Sequence, residues 1–151
     1  MFLKMDGVTG EANDVDHKGQ IDVVSWSWGM QASVDVATGL AAGKARISEL
    51  QIVKRVDQSS PTLMNFLKNN KLVNWAHLTV RKAGKTPLEY FKIDLHDVRV
   101  TAVKVESESA ELVERVNLGF VKIIVNYIPQ DSTGARGGGA NEFETNAHSP
   151  S

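Results

Sequence analysis

The sequence predicts a mainly β domain whose long, bent strands close into a barrel, with one short helix beside it. Three observations carry this reading. Large apolar residues recur with a period of two between Met1 and Ile128. Two stretches of about fifteen residues change which parity is apolar part-way along, as a bulge or a strand crossing between sheet faces produces. A single i, i+3, i+4 apolar stripe marks one helix. Long strands that switch faces imply strong curvature, and a curved sheet that meets its own edge is a barrel.

The elements follow in order. In Ile21–Gly29 (IDVVSWSWG), alternation places Val24, Trp26 and Trp28 on one face and Val23, Ser25 and Ser27 on the other. Gln31 to Gly43 (QASVDVATGLAAG) is mostly small, with one charge at Asp35, and reads as a long loop, functional or mobile. Ser59-Ser60-Pro61 offers an N-cap followed by proline at the first helical position. Leu63, Phe66 and Leu67 supply the stripe, and Asn69-Asn70 the stop. Lys82 to Lys85 reads as a hairpin turn. Phe91, Ile93 and Leu95 then share a face before Val98, Val100 and Ala102 take the opposite parity. In the last strand Val116, Leu118 and Phe120 give way to Val121, Ile123, Val125 and Tyr127. These elements assign 1–128 to one barrel domain. Residues 129–151, with Phe143 as the only large apolar side chain and four glycines, read as a flexible Gly-rich tail that cannot offset its ordering entropy.

Composition removes several functions. The 151 residues hold 17 basic and 18 acidic side chains, a net charge of −1, which lacks the footprint of a nucleic-acid binder. With no cysteine there is no disulfide, thiolate metal site or cysteine nucleophile. The most apolar stretch, Phe120 to Ile128, is interrupted by Lys122 and Asn126 and falls far short of the ~20 residues of a membrane helix. The N-terminal residues MFLKMDGVTGE lack the apolar core of an export signal.

No chemical motif survives inspection. Asp14 to Gly19 begins like a calcium loop, but Lys18 and Ser25 occupy positions that need oxygen ligands and a bidentate Glu, so the segment reads as a solvated loop. The four histidines show no metal spacing, and His96 and Asp97 point to opposite strand faces. Ser25 and Ser27 lie in a strand and not at a nucleophile elbow. Gly137 to Gly139 is followed by Ala140, which is no phosphate loop. Catalytic residues, cofactor-binding residues and metal ligands are all expected to be absent.

Asp6-Gly7, Gly10-Glu11-Ala12, His17, IDVVSWSWG, Ser60 to Met64 (SPTLM) and Leu78 to Gly84 (LTVRKAG) occur in that order. Over residues 2–130 this order resembles the Hcp family, the haemolysin-coregulated tube protein of bacterial type VI secretion systems; W-S-W-G is its most specific element. The resemblance implies a flattened β-barrel with a short flanking helix, assembling into homohexameric rings. The rings stack into the inner tube, beneath a spike and within a sheath, and the tube is itself expelled. Its lumen carries or stabilises small effector proteins. The implied protein is structural and not an enzyme, takes no cofactor, nucleic acid or membrane insertion, is cytoplasmic before assembly, and is secreted by the type VI system without a signal peptide.

The resemblance also assigns residues. It places a cargo-contacting residue of the lumen at Ser27, and strand parity agrees, because Ser27 must point outward if Trp26 and Trp28 anchor the core. The loop is expected to carry ring-on-ring stacking through Gln31, Ser33, Val34, Asp35, Val36, Thr38, Gly39 and Leu40. Head-to-tail stacking of identical rings is an open-ended contact that something must bridge. The alternatives are a monomeric ligand-binding barrel and a tube protein with an accessory effector activity. For the latter, the 23 residues after Ile128 are too few to build a second core.

Overall fold

The computed structural model describes residues 1–41, 43–82 and 88–147. The strands are β1 (Phe2–Met5), β2 (Ile21–Ser27), β3 (Met30–Gln31), β4 (Arg46–Ile47), β5 (Leu50–Arg55), β6 (Val73–Arg81), β7 (Glu89–Glu108), β8 (Glu111–Tyr127) and β9 (Asn141–Asn146). The helix α1 (Ser59–Lys68) lies between β5 and β6. The order β5-β2-β1-β6-β7-β8 closes through a β5–β8 pairing into a six-stranded barrel, and β9 extends β8 beyond it. All pairings are antiparallel. Leu3, Ile21, Leu50, Ile52, Leu78, Ile93, Leu95, Leu118 and Ile123 fill the interior, with Leu63 of α1 packed against them.

The long ribbon β7–β8 makes closure possible, because its first half serves β6 and its second half serves β5. The parity switches are where the sequence places them. Ile93 and Leu95 pair with Val125 and Ile123; three residues on, Val98 and Val100 pair with Phe120 and Leu118, and the inward set has changed parity on both strands. Asp97 sits at the switch with φ 55°, a left-handed conformation that Asp tolerates better than most residues. A second irregularity follows. Thr101 is an extra residue opposite the Leu118–Asn117 step, so the next residue of β7 packed on the core is Val103. The grouping of Ala102 with Val98 and Val100 is corrected accordingly.

Three further expectations change. In β2, Val23 pairs with Lys54 but Ser25 pairs with Val53, so one extra residue sits in β2. This bulge turns Val23 inward and leaves Val24 exposed, while Trp26 and Trp28 still reach the core. The helix starts earlier than proline placement predicts. Asp57 Oδ1 accepts hydrogen bonds from the Ser59 N–H and hydroxyl at 2.8 and 2.5 Å, which makes Asp57 the capping side chain and leaves Pro61 as the third helical residue. At the other end Asn70 adopts φ 50°, and Lys71 N donates to Phe66 O, so the asparagine stop holds.

The third change concerns residues 129–151. Asn141–Asn146 pairs with Lys122 to Tyr127, the stretch of β8 that β5 does not reach. A tail poor in apolar groups docks here through its backbone, since an unpaired strand edge offers hydrogen bonds whatever the side chains are. The return is built by Asp131, whose Oδ1 accepts from Thr133 N, Thr133 Oγ1 and Ala135 N. These donors hold its carboxyl below the usual range. In the predicted hairpin turn after Arg81, residues 83–85 lie outside the described residues, although Lys82 N donates to Leu88 O across its base.

Candidate functional site

Two features stand outside the barrel core, and the W-S-W-G strand connects them. The first is a polar sheet face. Ser27 pairs with Gln51, and Gln51 with Asn117, so the three lie abreast on β2, β5 and β8. Residues directly opposite in a sheet share a face. Trp26, Ile52 and Val116 in the adjacent row pack on the core, so the Ser27 row points out of the barrel. Gln51 Nε2 donates to Asn117 Oδ1 at 3.1 Å. Thr101 Oγ1 donates to Glu49 Oε1 at 2.9 Å, and Arg115 Nε donates to Glu106 Oε1 at 3.2 Å. The face is therefore hydroxyl and amide in its middle, with the flanking carboxylates of Glu49 and Glu106 each held by a hydrogen bond. It can hydrogen-bond a partner surface without a dominant charge.

The second feature is an arm. Beyond Gly29 the chain leaves the barrel as a hairpin: Met30 pairs with Ile47, Gln31 with Arg46, and Val34 bridges Ala41. Its tip is a formed turn. Asp35 N donates to Leu40 O, Gly39 N to Asp35 O, and Asp35 Oδ1 accepts from Ala37 N. Gly39 has φ 71°, which the absence of a side chain permits. Ser33, Thr38 and the apolar Val34, Val36 and Leu40 are all exposed, Val36 at 90% and Leu40 at 70%. The long loop expected from the weak valine pattern is closed at its root by the Met30–Gln31 and Arg46–Ile47 strands and braced within by the Val34–Ala41 bridge.

Trp28 fixes the arm to the barrel. Its Nε1 donates to Ser48 O at 2.9 Å, Gly29 N donates to Ser48 Oγ at 2.9 Å, and Ser48 N donates to Gly29 O at 3.0 Å. Trp26 stacks on Phe91 with centroids 5.5 Å apart. Both indoles are half-buried at the rim of the core and not enclosed by it. An open groove of about 640 Å³ runs along the arm root between Met30, Arg46, Ile47 and Ala147.

Sequence reasoning missed a buried polar cluster. Lys54 and Glu114 are cross-strand partners at the β5–β8 seam, both with no exposure, and lie 3.0 Å apart. Lys54 Nζ also donates to Asp57 Oδ1, Ser60 Oγ and Arg55 O, and the Ser60 hydroxyl donates to Glu114. A serine beside a lysine is a nucleophile–base geometry, but here both are sealed from solvent and held by a carboxylate. The cluster ties the start of α1 to the strand pair that closes the barrel. In a strand pattern lysine and glutamate read as outward residues, so nothing in the sequence flagged them.

The segment between β1 and β2 is better anchored than a solvated loop. His17 is buried, stacked on Phe2 at 4.4 Å, with Nε2 2.6 Å from Glu89 and Nδ1 3.0 Å from Gln20. Asp14 forms a bidentate pair with Arg81, whose guanidinium holds the Asp14 carboxyl at about 2. Among the described residues no group of three His, Asp or Glu side chains converges as a metal ion would require, and no helix is long and apolar enough to cross a membrane.

Comparison with known proteins agrees with this architecture. Residues 2–127 match the family described as "Type VI secretion system effector, Hcp". The chain is 38% identical to the protein Hcp1 of Pseudomonas aeruginosa over 97% of its own length and 93% of that protein's. Among solved structures it resembles a type VI secretion system effector from Yersinia pestis, at 28% identity and a TM-score of 0.79, covering 96% of this chain and 98% of that one. It resembles Hcp1 from Salmonella typhimurium at the same identity and TM-score, over 97% and 92% of the two chains. A match across the whole barrel, together with a relative above 30% identity, shows that this chain belongs to the Hcp family of type VI secretion system proteins.

Proposed function

We propose that the chain is the tube subunit of its secretion machine, forming hexameric rings that stack into an expelled inner tube and carry small effectors in the lumen. Membership of the family supports the general role. The observation that carries the finer reading is the pairing of a polar, charge-balanced sheet face with a projecting arm, both built on the W-S-W-G strand. Ser27 faces the lumen, where its row can hydrogen-bond a cargo surface. The arm, through Gln31 to Leu40, reaches the next ring. The exposed valines and leucine at its tip gain from burial against a neighbouring copy. The spike and sheath are the remaining partners. The protein is cytoplasmic until assembly and then leaves through the system that it builds.

The barrel interior is filled by its own side chains, which disfavours the ligand-binding alternative. Light scattering and negative-stain imaging test the assembly together. Six-fold rings with six times the 16.5 kDa chain mass support it, and a monomer at all concentrations refutes it. For the lumen, Ser27→Gln is expected to leave rings intact and to lower co-purification of small effectors. Unchanged recovery across several effectors removes Ser27 from the contact.

A further inference from the structure

The C-terminal strand β9 is an edge of the seven-stranded sheet, and on its side away from β8 it pairs with no strand among the described residues. Such an edge is a template for another chain. It lies beside the most apolar run of the molecule, Phe120 to Ile128, which has the composition that drives edge-to-edge association. Yet β9 itself, Asn-Glu-Phe-Glu-Thr-Asn, contributes little to the core: five of its six residues are exposed, Phe143 by 42%. Its residues call for an explanation other than packing.

Charge supplies one. In cis, Glu144 is paired with Lys122, a residue diagonal to it across the β8–β9 register, at 2.5 Å. If two copies met edge to edge in antiparallel fashion about Phe143, Glu142 of each would stand directly opposite Glu144 of the other. Like charges placed so are destabilising, and neither strand contains a cation to relieve them. Docking on the chain's own β8 is thus rewarded, while pairing with a second β9 is opposed twice over. We infer that β9 is an edge guard: it covers the exposed edge of β8 in cis, and its two glutamates keep its own outer edge from pairing with β9 of a second copy.

A single charge reversal tests this in the full-length protein. Glu142→Lys leaves the Glu144–Lys122 pair in place but converts both opposed contacts into attractive ones. The chain has no cysteine, so Phe143→Cys provides one thiol at the centre of the pairing. Directly opposed strand residues have Cα atoms about 4.5–5.5 Å apart, within disulfide reach. Under mild oxidation at equal concentration, Phe143→Cys/Glu142→Lys is expected to form disulfide dimers at least tenfold faster than Phe143→Cys alone. At about 1 M salt, where the Debye length is about 3 Å, that gap should largely close. Equal rates in the two variants at low salt, or a gap that salt leaves unchanged, would overturn the proposal.

Discussion

The barrel wall and the arm are both antiparallel β structure, yet they treat apolar side chains in opposite ways. In the wall, Leu50, Ile52, Leu118 and Ile123 have no exposure. In the arm, beyond the W-S-W-G motif that ends at Gly29, Leu40 is 70% exposed and Val36 is 90% exposed. The wall is held by burial, at about 1.5–3 kcal/mol for each large side chain. The arm is held by backbone bonds, the Asp35 turn and the Trp28–Ser48 clasp. Apolar groups that the fold does not use are available to a partner.

The largest break in this contrast should come at the seam. Lys54→Ala leaves Glu114 charged, buried and unpaired, and is expected to cost about 3–5 kcal/mol. Lys54→Met/Glu114→Leu should recover most of that loss in equilibrium urea unfolding at fixed protein concentration. A Lys54→Ala melt indistinguishable from wild type would show the pair to be solvated. Next, Trp26→Ala should cost about 2–3 kcal/mol, below the usual range for a fully enclosed aromatic because the indole is half-buried. Val36→Ser/Leu40→Ser, which removes comparable apolar groups from the arm, should change stability by less than about 0.5 kcal/mol. Comparable losses at the two places would erase the distinction drawn between them.

A smaller gain is expected at the β7–β8 turn, where Ser109 and Ala110 both have positive φ, 48° and 66°. A two-residue turn with both central residues left-handed favours Asn-Gly. Ser109→Asn/Ala110→Gly should therefore stabilise by about 1 kcal/mol in the same unfolding assay. The smallest effect is acid-dependent. Asp14 titrates at about 2 in the folded chain because of Arg81, below its ordinary 3.8. Its contribution is complete above pH 4 or so and is lost as pH falls through about 2. The stability gap between wild type and Asp14→Asn should be constant above that range and narrow below it.

The sequence was legible where side-chain pattern and structure share a cause. The face switches near Asp97 and Phe120 show as changes of apolar parity, because one face of each strand must reach the core. The outward direction of Ser27 follows from Trp26 and Trp28 in the same way. The β2 bulge was hidden because Val23 and Val24 are alike, so either could have been the inward residue. The turn at Ser109-Ala110 lacks glycine and asparagine, and the hairpin that it makes left no local signal. The strand β9 was illegible for a different reason. Its partner is an edge left bare by the short reach of β5, a property of the topology and not of residues 141–146. The Gln51–Asn117 pair beside Ser27 likewise exists only once β5 and β8 meet.

Replacing Gln31 to Gly43 with a short Gly-Ser linker tests the central claim most directly. The clasp between Gly29 and Ser48 and every barrel residue stay in place, so rings should form with the same number of subunits. Negative-stain images should then show single rings and no tubes, and the protein should no longer be secreted. Tubes of normal length from the linker variant would contradict the account.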